Sequence, residues 1–60
     1  MKKEMIMELN AIAAQDFEKA KAMIEGINLV LGTDYDWLNK RVVFFDKGYV
    51  AHDAYAWAEE

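Results

Sequence analysis

A long proline-free segment with one continuous apolar stripe constrains the fold of this chain most strongly. Residues 2–31 contain no proline, and the first glycine is Gly26. At about 100° per residue, the apolar side chains fall within an arc of roughly 140°, and most charged side chains lie opposite. The pattern predicts an amphipathic helix over about residues 3–31, with Gly32 suited to closing it in the left-handed conformation.

Asp16 interrupts this stripe near its middle, in phase with Leu9, Ala20 and Ile27. Aspartate is a preferred N-cap, so one helix could end at Asp16 and a second begin at Phe17. Alternatively, a continuous helix passes through Asp16, and its carboxylate meets a cation on a partner. The sequence leaves both alternatives open.

The second half of the chain predicts a β-hairpin. Residues 33–39 mix turn formers with two aromatic side chains and predict an ordered loop, whereas residues 41–45 form a β-branched and aromatic run typical of a strand. Asp46-Lys47-Gly48 fits a three-residue hairpin loop with glycine at the left-handed position. The hairpin then covers about residues 41–53 and pairs the following residues: Phe45 with Tyr49, Phe44 with Val50, Val42 with His52, and Arg41 with Asp53.

The predicted fold class is therefore α+β, with one small domain over residues 1–60. Residues 54–60 suit either a short helical turn, with Asp53 as its N-cap, or another strand. The chain is 55% hydrophobic, which is too apolar for a disordered segment. It has no cysteine, so a disulfide is excluded and self-association is the remaining way to strengthen so small a core.

Composition and charge also argue against several classes of function. The net charge of −4 disfavours direct binding to nucleic acid, which needs a basic patch. No apolar run reaches the ~18–20 residues that span a bilayer, and Met-Lys-Lys is followed at once by Glu4, so we expect a cytoplasmic location without a membrane segment. One histidine and no cysteine leave no recognisable metal-ligand set.

Catalytic side chains are equally sparse. His52 and Asp53 are neighbours in sequence, so their side chains diverge on either a strand or a helix. Hydroxyl groups occur on Thr33 and the three tyrosines, and none of them has the partners of an activated nucleophile. The sequence predicts a protein that is not an enzyme, with no cofactor and no metal.

Two surfaces are predicted to make protein contacts. A continuous helix of about 30 residues would extend ~45 Å, more than one hairpin covers, so we expect an antiparallel homodimer. The predicted self-association residues lie on the apolar stripe: Leu9, Ile12, Phe17, Ile24, Ile27 and Leu31. The predicted partner-binding residues combine acids with aromatics, which dominate binding hot spots: Asp34, Tyr35, Asp36, Trp37, Tyr49, Tyr55 and Trp57.

These features favour a small acidic protein-protein interaction module that regulates or inhibits a larger host or phage protein, such as one with a basic nucleic-acid-binding groove. A chain this short without catalytic, metal or secretion signals resembles, in type, the accessory proteins of bacteriophages and mobile elements. These include anti-CRISPR proteins and inhibitors of host DNA-processing enzymes. The alternative is a structural or assembly protein that oligomerises through its helix.

Overall fold

Two helices, rather than one, form the N-terminal half of the chain. In the computed structural model, which describes residues 1–58, α1 spans Lys3–Gln15 and α2 spans Phe17–Leu31. Asp16 lies between them in a non-helical conformation, and its carboxylate accepts a hydrogen bond from the Lys19 N–H at 3.2 Å. The continuous-helix alternative is therefore wrong. The predicted C-terminal end of the helical segment is confirmed, because Gly32 closes α2 with a φ of 67°.

The break at Asp16 allows α2 to fold back and pack against α1. Ala13 and Ala20 are both buried, one on each side of the break. Small side chains at these positions let the two helices approach closely. The apolar stripe is thus divided between two short helices that face each other, and the ~45 Å surface that motivated the predicted dimer is not formed.

A three-stranded antiparallel sheet forms the second half of the chain, in the order β1-β2-β3. The strands are β1 (Asp36–Leu38), β2 (Arg41–Phe45) and β3 (Ala51–Asp53). The predicted strand at 41–45 is confirmed, but the prediction of a loop throughout residues 33–39 is wrong at β1. A two-residue turn joins β1 to β2, and both Asn39 and Lys40 adopt positive φ, at 51° and 61°. This is the conformation that tight hairpins favour, but here it forms without the usual glycine.

The hairpin of β2 and β3 forms with a different register from the predicted one. Phe45 pairs with Ala51 and Phe44 with His52. A β-turn is closed by the Tyr49 N–H donating to the Asp46 carbonyl at 3.0 Å, and Tyr49, with φ of 58°, takes the left-handed position assigned to Gly48.

The Asp46 side chain explains this shift. Its Oδ1 accepts hydrogen bonds from the Gly48 N–H at 2.8 Å and the Val50 N–H at 3.1 Å. Aspartate is strongly favoured at the first position of a β-turn, and here that preference outweighs the preference of glycine for positive φ. The predicted pairs are therefore wrong, because β3 is shifted by two residues relative to β2. The incorrect pairs are Phe45 with Tyr49, Phe44 with Val50, Val42 with His52, and Arg41 with Asp53. Arg41 and Asp53 still form an ion pair at 3.0 Å, but diagonally across the strands.

A short helix, α3 (Ala54–Trp57), follows β3 directly. Asp53 caps it, because its carboxylate accepts a hydrogen bond from the Tyr55 N–H at 3.0 Å. Of the two alternatives for residues 54–60, the helical turn is therefore the one that forms. Residues 59–60 of that segment lie outside the described residues.

The hydrophobic core lies between the helices and one face of the sheet. It consists of buried side chains from both helices, the central strand and α3: Ile6, Leu9, Ile24, Val42 and Ala54. α1 is the central helix, since it contacts α2, β2 and α3. Asn10 Oδ1 also accepts a hydrogen bond from the Val42 N–H at 2.8 Å, which fixes α1 on the central strand.

Candidate functional site

An aromatic cluster lies where β2, β3 and α3 meet. The observed register places Phe44 opposite His52, and their rings stack with centroids 5.2 Å apart. Trp57 contacts both rings edge-on, at 6.5 Å from Phe44 and 5.5 Å from His52. Even so, 69% of Trp57 remains exposed to solvent. The cluster is therefore a large aromatic surface that is held in place and still accessible.

Asn28 fixes the loop that faces this cluster. Its Oδ1 accepts hydrogen bonds from the Tyr35 N–H at 2.9 Å and the Thr33 hydroxyl at 2.8 Å. Its Nδ2 donates to the Tyr35 carbonyl at 2.8 Å. One amide side chain on α2 thus satisfies three polar groups of residues 33–35, so this loop is ordered even though it has no regular structure.

A groove runs between this loop and α3, and we call it the Tyr35–Trp57 groove. Its volume is about 550 Å³. Two of its lining residues are joined by a hydrogen bond, which the N-terminal amine of Met1 donates to the Tyr35 hydroxyl at 3.3 Å. Most of its lining residues are of apolar or aromatic type, and the exposed residue Asp34 is among the polar ones. The lining residues are Met1, Ile6, Thr33, Asp34, Tyr35, Phe44, Phe45, Ala54, Trp57 and Ala58. An apolar concavity with a few polar groups is the usual form of a binding site.

The structure divides the predicted partner-binding set. Asp34, Tyr35 and Trp57 come together on the groove, whereas Asp36 does not. Asp36 pairs with Val43 and Trp37 with Val42, so alternation along β1 directs these neighbours to opposite faces of the sheet. The Asp36 carboxylate accepts a hydrogen bond from the backbone N–H of Trp37 at 2.8 Å.

The other aromatic residues of the predicted set have different environments. Trp37 is half-buried and packs edge-on against Phe17 at 5.5 Å, and its Nε1 is buried without a hydrogen-bond partner among the described residues. Tyr55 is half-buried, with the Lys3 ammonium 5.5 Å from its ring centroid. Tyr49 is 87% exposed in the β2–β3 turn. Trp37 and Tyr55 therefore support the fold, and Tyr49 is accessible but does not line the groove.

Most of the predicted self-association residues pack within one chain. Leu9 and Ile24 are buried in the core, and Ile12, Phe17 and Ile27 are half-buried. Leu31 is exposed at the end of α2. One chain thus already covers most of the stripe that was predicted to join two copies.

Sequence reasoning missed three residues that form or support the site. The sequence pattern gives Asn28 no role, and for His52 it excludes only a catalytic pair with Asp53. His52 instead stacks on Phe44, and its Nε2 lies 2.8 Å from Asp46 Oδ2. Met1 carried no recognisable signal. The His52 position follows directly from the register, so a correct turn assignment would have revealed it.

The described residues include neither a metal-ligand cluster nor a membrane-spanning helix. Among residues 1–58, no three His, Asp or Glu side chains cluster closely enough to hold a metal ion. Within the same range, every helix is too short or too polar to cross a bilayer. Exposed aromatic area, an acidic side chain and a concave shape are features that protein and peptide ligands use.

We also compared the chain with known proteins. No family model matches the sequence, and we found no significant match among curated proteins or among solved structures.

Proposed function

We propose that this chain is a non-enzymatic, cytoplasmic protein-binding module that regulates or inhibits a larger protein, and that it docks through the Tyr35–Trp57 groove. The observation that carries this proposal is the exposure of Trp57 beside Phe44 and His52. A tryptophan gains little by folding into a cluster that leaves two thirds of it in water. Covering that ring with a partner removes a large apolar area from solvent, as is typical of binding hot spots.

The net charge of the chain favours a basic partner segment. Asp34 is an exposed acidic residue of the groove lining, and the whole chain carries a net charge of −4, which outweighs the single ammonium group of Met1 at the groove. A partner side chain with an apolar stem and a cationic head, such as arginine or lysine, could lie against Trp57 and pair with Asp34. A larger protein with a basic nucleic-acid-binding groove offers such side chains, which supports an inhibitor of the phage accessory or anti-CRISPR type.

Affinity capture with matched baits tests this proposal. The wild-type chain should retain a specific protein from a host lysate, and Trp57→Ala should lose it. Asp34→Asn should weaken retention, whereas Asp36→Asn should not, because Asp34 lines the groove and Asp36 does not. The two aspartate variants remove the same charge, so a non-specific charge effect would weaken both equally and would contradict docking at the groove.

One observation favours the alternative function of an assembly protein. α2 carries exposed apolar side chains at its C-terminal end that no other described element covers, among them Leu29 and Val30. An assembly protein should bind further copies of itself, and capture from a lysate should then retain the same proteins with wild-type and Trp57→Ala baits.

A further inference from the structure

α2 has a second apolar face, on the side that points away from the core. Ile24 and Ala20 are buried against the rest of the chain, but five apolar or small residues at other angles are exposed. At about 100° per residue they share an arc of roughly 120°. We call them the outer face of α2: Ala22, Met23, Gly26, Leu29 and Val30. Leu29 and Val30 are 86% and 82% exposed, so no described part of the same chain covers them.

Gly26 lies at the centre of this face. A Cβ added there would meet no heavy atom of the described residues within 4 Å beyond its two chain neighbours and the adjacent backbone of its own helix. Gly26 has an ordinary negative φ, unlike Gly32, so the fold of one chain requires no glycine here. Glycine weakens a helix interior relative to alanine, and its usual compensation is the close approach of another backbone.

We propose that the outer face of α2 binds the outer face of α2 in a second copy of this chain, and that the two helices cross antiparallel at Gly26. A two-fold axis at Gly26 places Ala22 opposite the partner's Val30 and Met23 opposite the partner's Leu29. The small Ala22 therefore faces the larger Val30, and two long apolar side chains, Met23 and Leu29, pack on each other beside the glycine crossing. The same surface on both copies satisfies the requirement that a two-fold interface be self-complementary.

Charge favours the same arrangement. Lys19 lies one turn before Ala22 and Met23, in the arc of the outer face. In an antiparallel pair it lies beside the C-terminal end of the partner's α2, whose last turn carries no basic side chain. A cation at a helix C-terminus is stabilising, because the last carbonyl groups point outward there. Glu25 lies at the edge of the face, outside the apolar arc, where it stays in water.

This surface differs from the stripe that the sequence predicted for self-association. Leu9 and Ile24 of that stripe are buried inside one chain and are not available to a second copy. The outer face extends over nine residues of helix, or about 13 Å, which is short compared with standard interfaces. The dimer should therefore be weak, with a dissociation constant in the micromolar range or above. It does not depend on the groove, so it stands or falls separately from the proposed function.

Sedimentation equilibrium of the full chain tests the proposal. Between about 10 μM and about 1 mM, the average mass of the wild type should rise from one chain towards two. Leu29→Asp should stay monomeric throughout. Met7→Asp is the matched control, because Met7 is also exposed but lies on α1. It should dimerise like the wild type.

Gly26→Ala gives an independent test, since it should strengthen the helix while placing a methyl group at the crossing point. We expect normal helical circular dichroism and at least tenfold weaker dimerisation. A wild-type chain that remains monomeric to about 1 mM would overturn the proposal. So would Leu29→Asp and Gly26→Ala variants that dimerise as well as the wild type.

Discussion

The carboxylate of Asp46 lies 2.8 Å from Nε2 of His52, and this contact joins the β2–β3 turn to the aromatic cluster. The same carboxylate accepts hydrogen bonds from two backbone N–H groups of the turn. His52 in turn stacks on Phe44, beside Trp57. One acidic side chain therefore sets the register of the hairpin and holds the ring that supports the exposed tryptophan.

The first prediction concerns the acid stability of this hairpin. The hydrogen bond from His52, with those from the Val50 and Gly48 N–H groups, lowers the pKa of Asp46 below its ordinary value of 3.8. The folded state therefore binds this proton less readily than the unfolded state. The resulting stabilisation is present above pH 3.8 and is lost as the pH falls through the lowered pKa of Asp46.

Carbon-detected NMR of the Asp46 carboxyl group should give a titration midpoint below 3.8. Asp46→Asn keeps one acceptor oxygen and loses the charge, so it should unfold at lower denaturant concentration than the wild type near pH ~7. That difference should shrink in strong acid. A midpoint at or above 3.8, or a difference independent of pH, would show that the charge of Asp46 does not stabilise the turn.

The second prediction tests the anchor of the groove loop. Asn28→Ala removes hydrogen bonds to the Tyr35 N–H, the Tyr35 carbonyl and the Thr33 hydroxyl. We expect a loss of about 1–3 kcal/mol in the free energy of unfolding, because partly buried backbone groups lose their partners. Asn28→Asp keeps the acceptor and loses the donor, so it should lie between alanine and the wild type. Urea denaturation measures the effect, and equal stability of all three proteins would contradict it.

The third prediction concerns the break between α1 and α2. Asp16→Ala removes the cap on the Lys19 N–H and should cost about 0.5–2 kcal/mol, whereas Asp16→Asn should cost much less. Both variants remove the same charge, so the comparison isolates the cap. If alanine at position 16 instead stabilised the chain, the continuous helix would be the preferred form.

The fourth prediction uses the positive φ values of the β1–β2 turn. Lys40 adopts a φ of 61°, which is unfavourable for lysine and easy for glycine. Lys40→Gly should stabilise the chain by roughly 0.5–1 kcal/mol, because Asn-Gly is the favoured pair for this turn. Lys47→Gly is the control, since Lys47 is not among the residues with positive φ, and it should not stabilise. Thermal unfolding of the two variants should therefore change in opposite directions or by clearly different amounts.

The strongly patterned helices and strand could be predicted from the sequence. The apolar stripe predicted helix over residues that form α1 and α2, and Asp16 was recognised as a candidate cap because its side chain satisfies orphan N–H groups locally. The β-branched run predicted β2. These assignments succeeded because each depends on contacts within a few residues.

The remaining features depend on contacts between distant residues. β1 has three residues and gains its structure by pairing with β2, so no local pattern marks it. The register was decided by Asp46 rather than Gly48, a competition between two turn preferences of similar size. The groove could not be predicted as a whole, because Asp34 and Trp57 come to line the same groove only when α3 packs against β2.

Docking at the Tyr35–Trp57 groove can be measured by titrating the wild-type chain with a short arginine-rich peptide and following the two indole N–H signals by NMR. The Trp57 signal should shift on binding, and the Trp37 signal should stay nearly constant, because Trp37 packs against Phe17 away from the groove. Affinity should fall as salt shortens the screening length from about 10 Å to about 3 Å. Asp34→Asn should weaken binding and reduce this salt dependence. Asp36→Asn loses the same charge away from the groove, so its affinity should fall much less. Equal shifts of both indoles, or equal losses in the two aspartate variants, would contradict docking at the Tyr35–Trp57 groove.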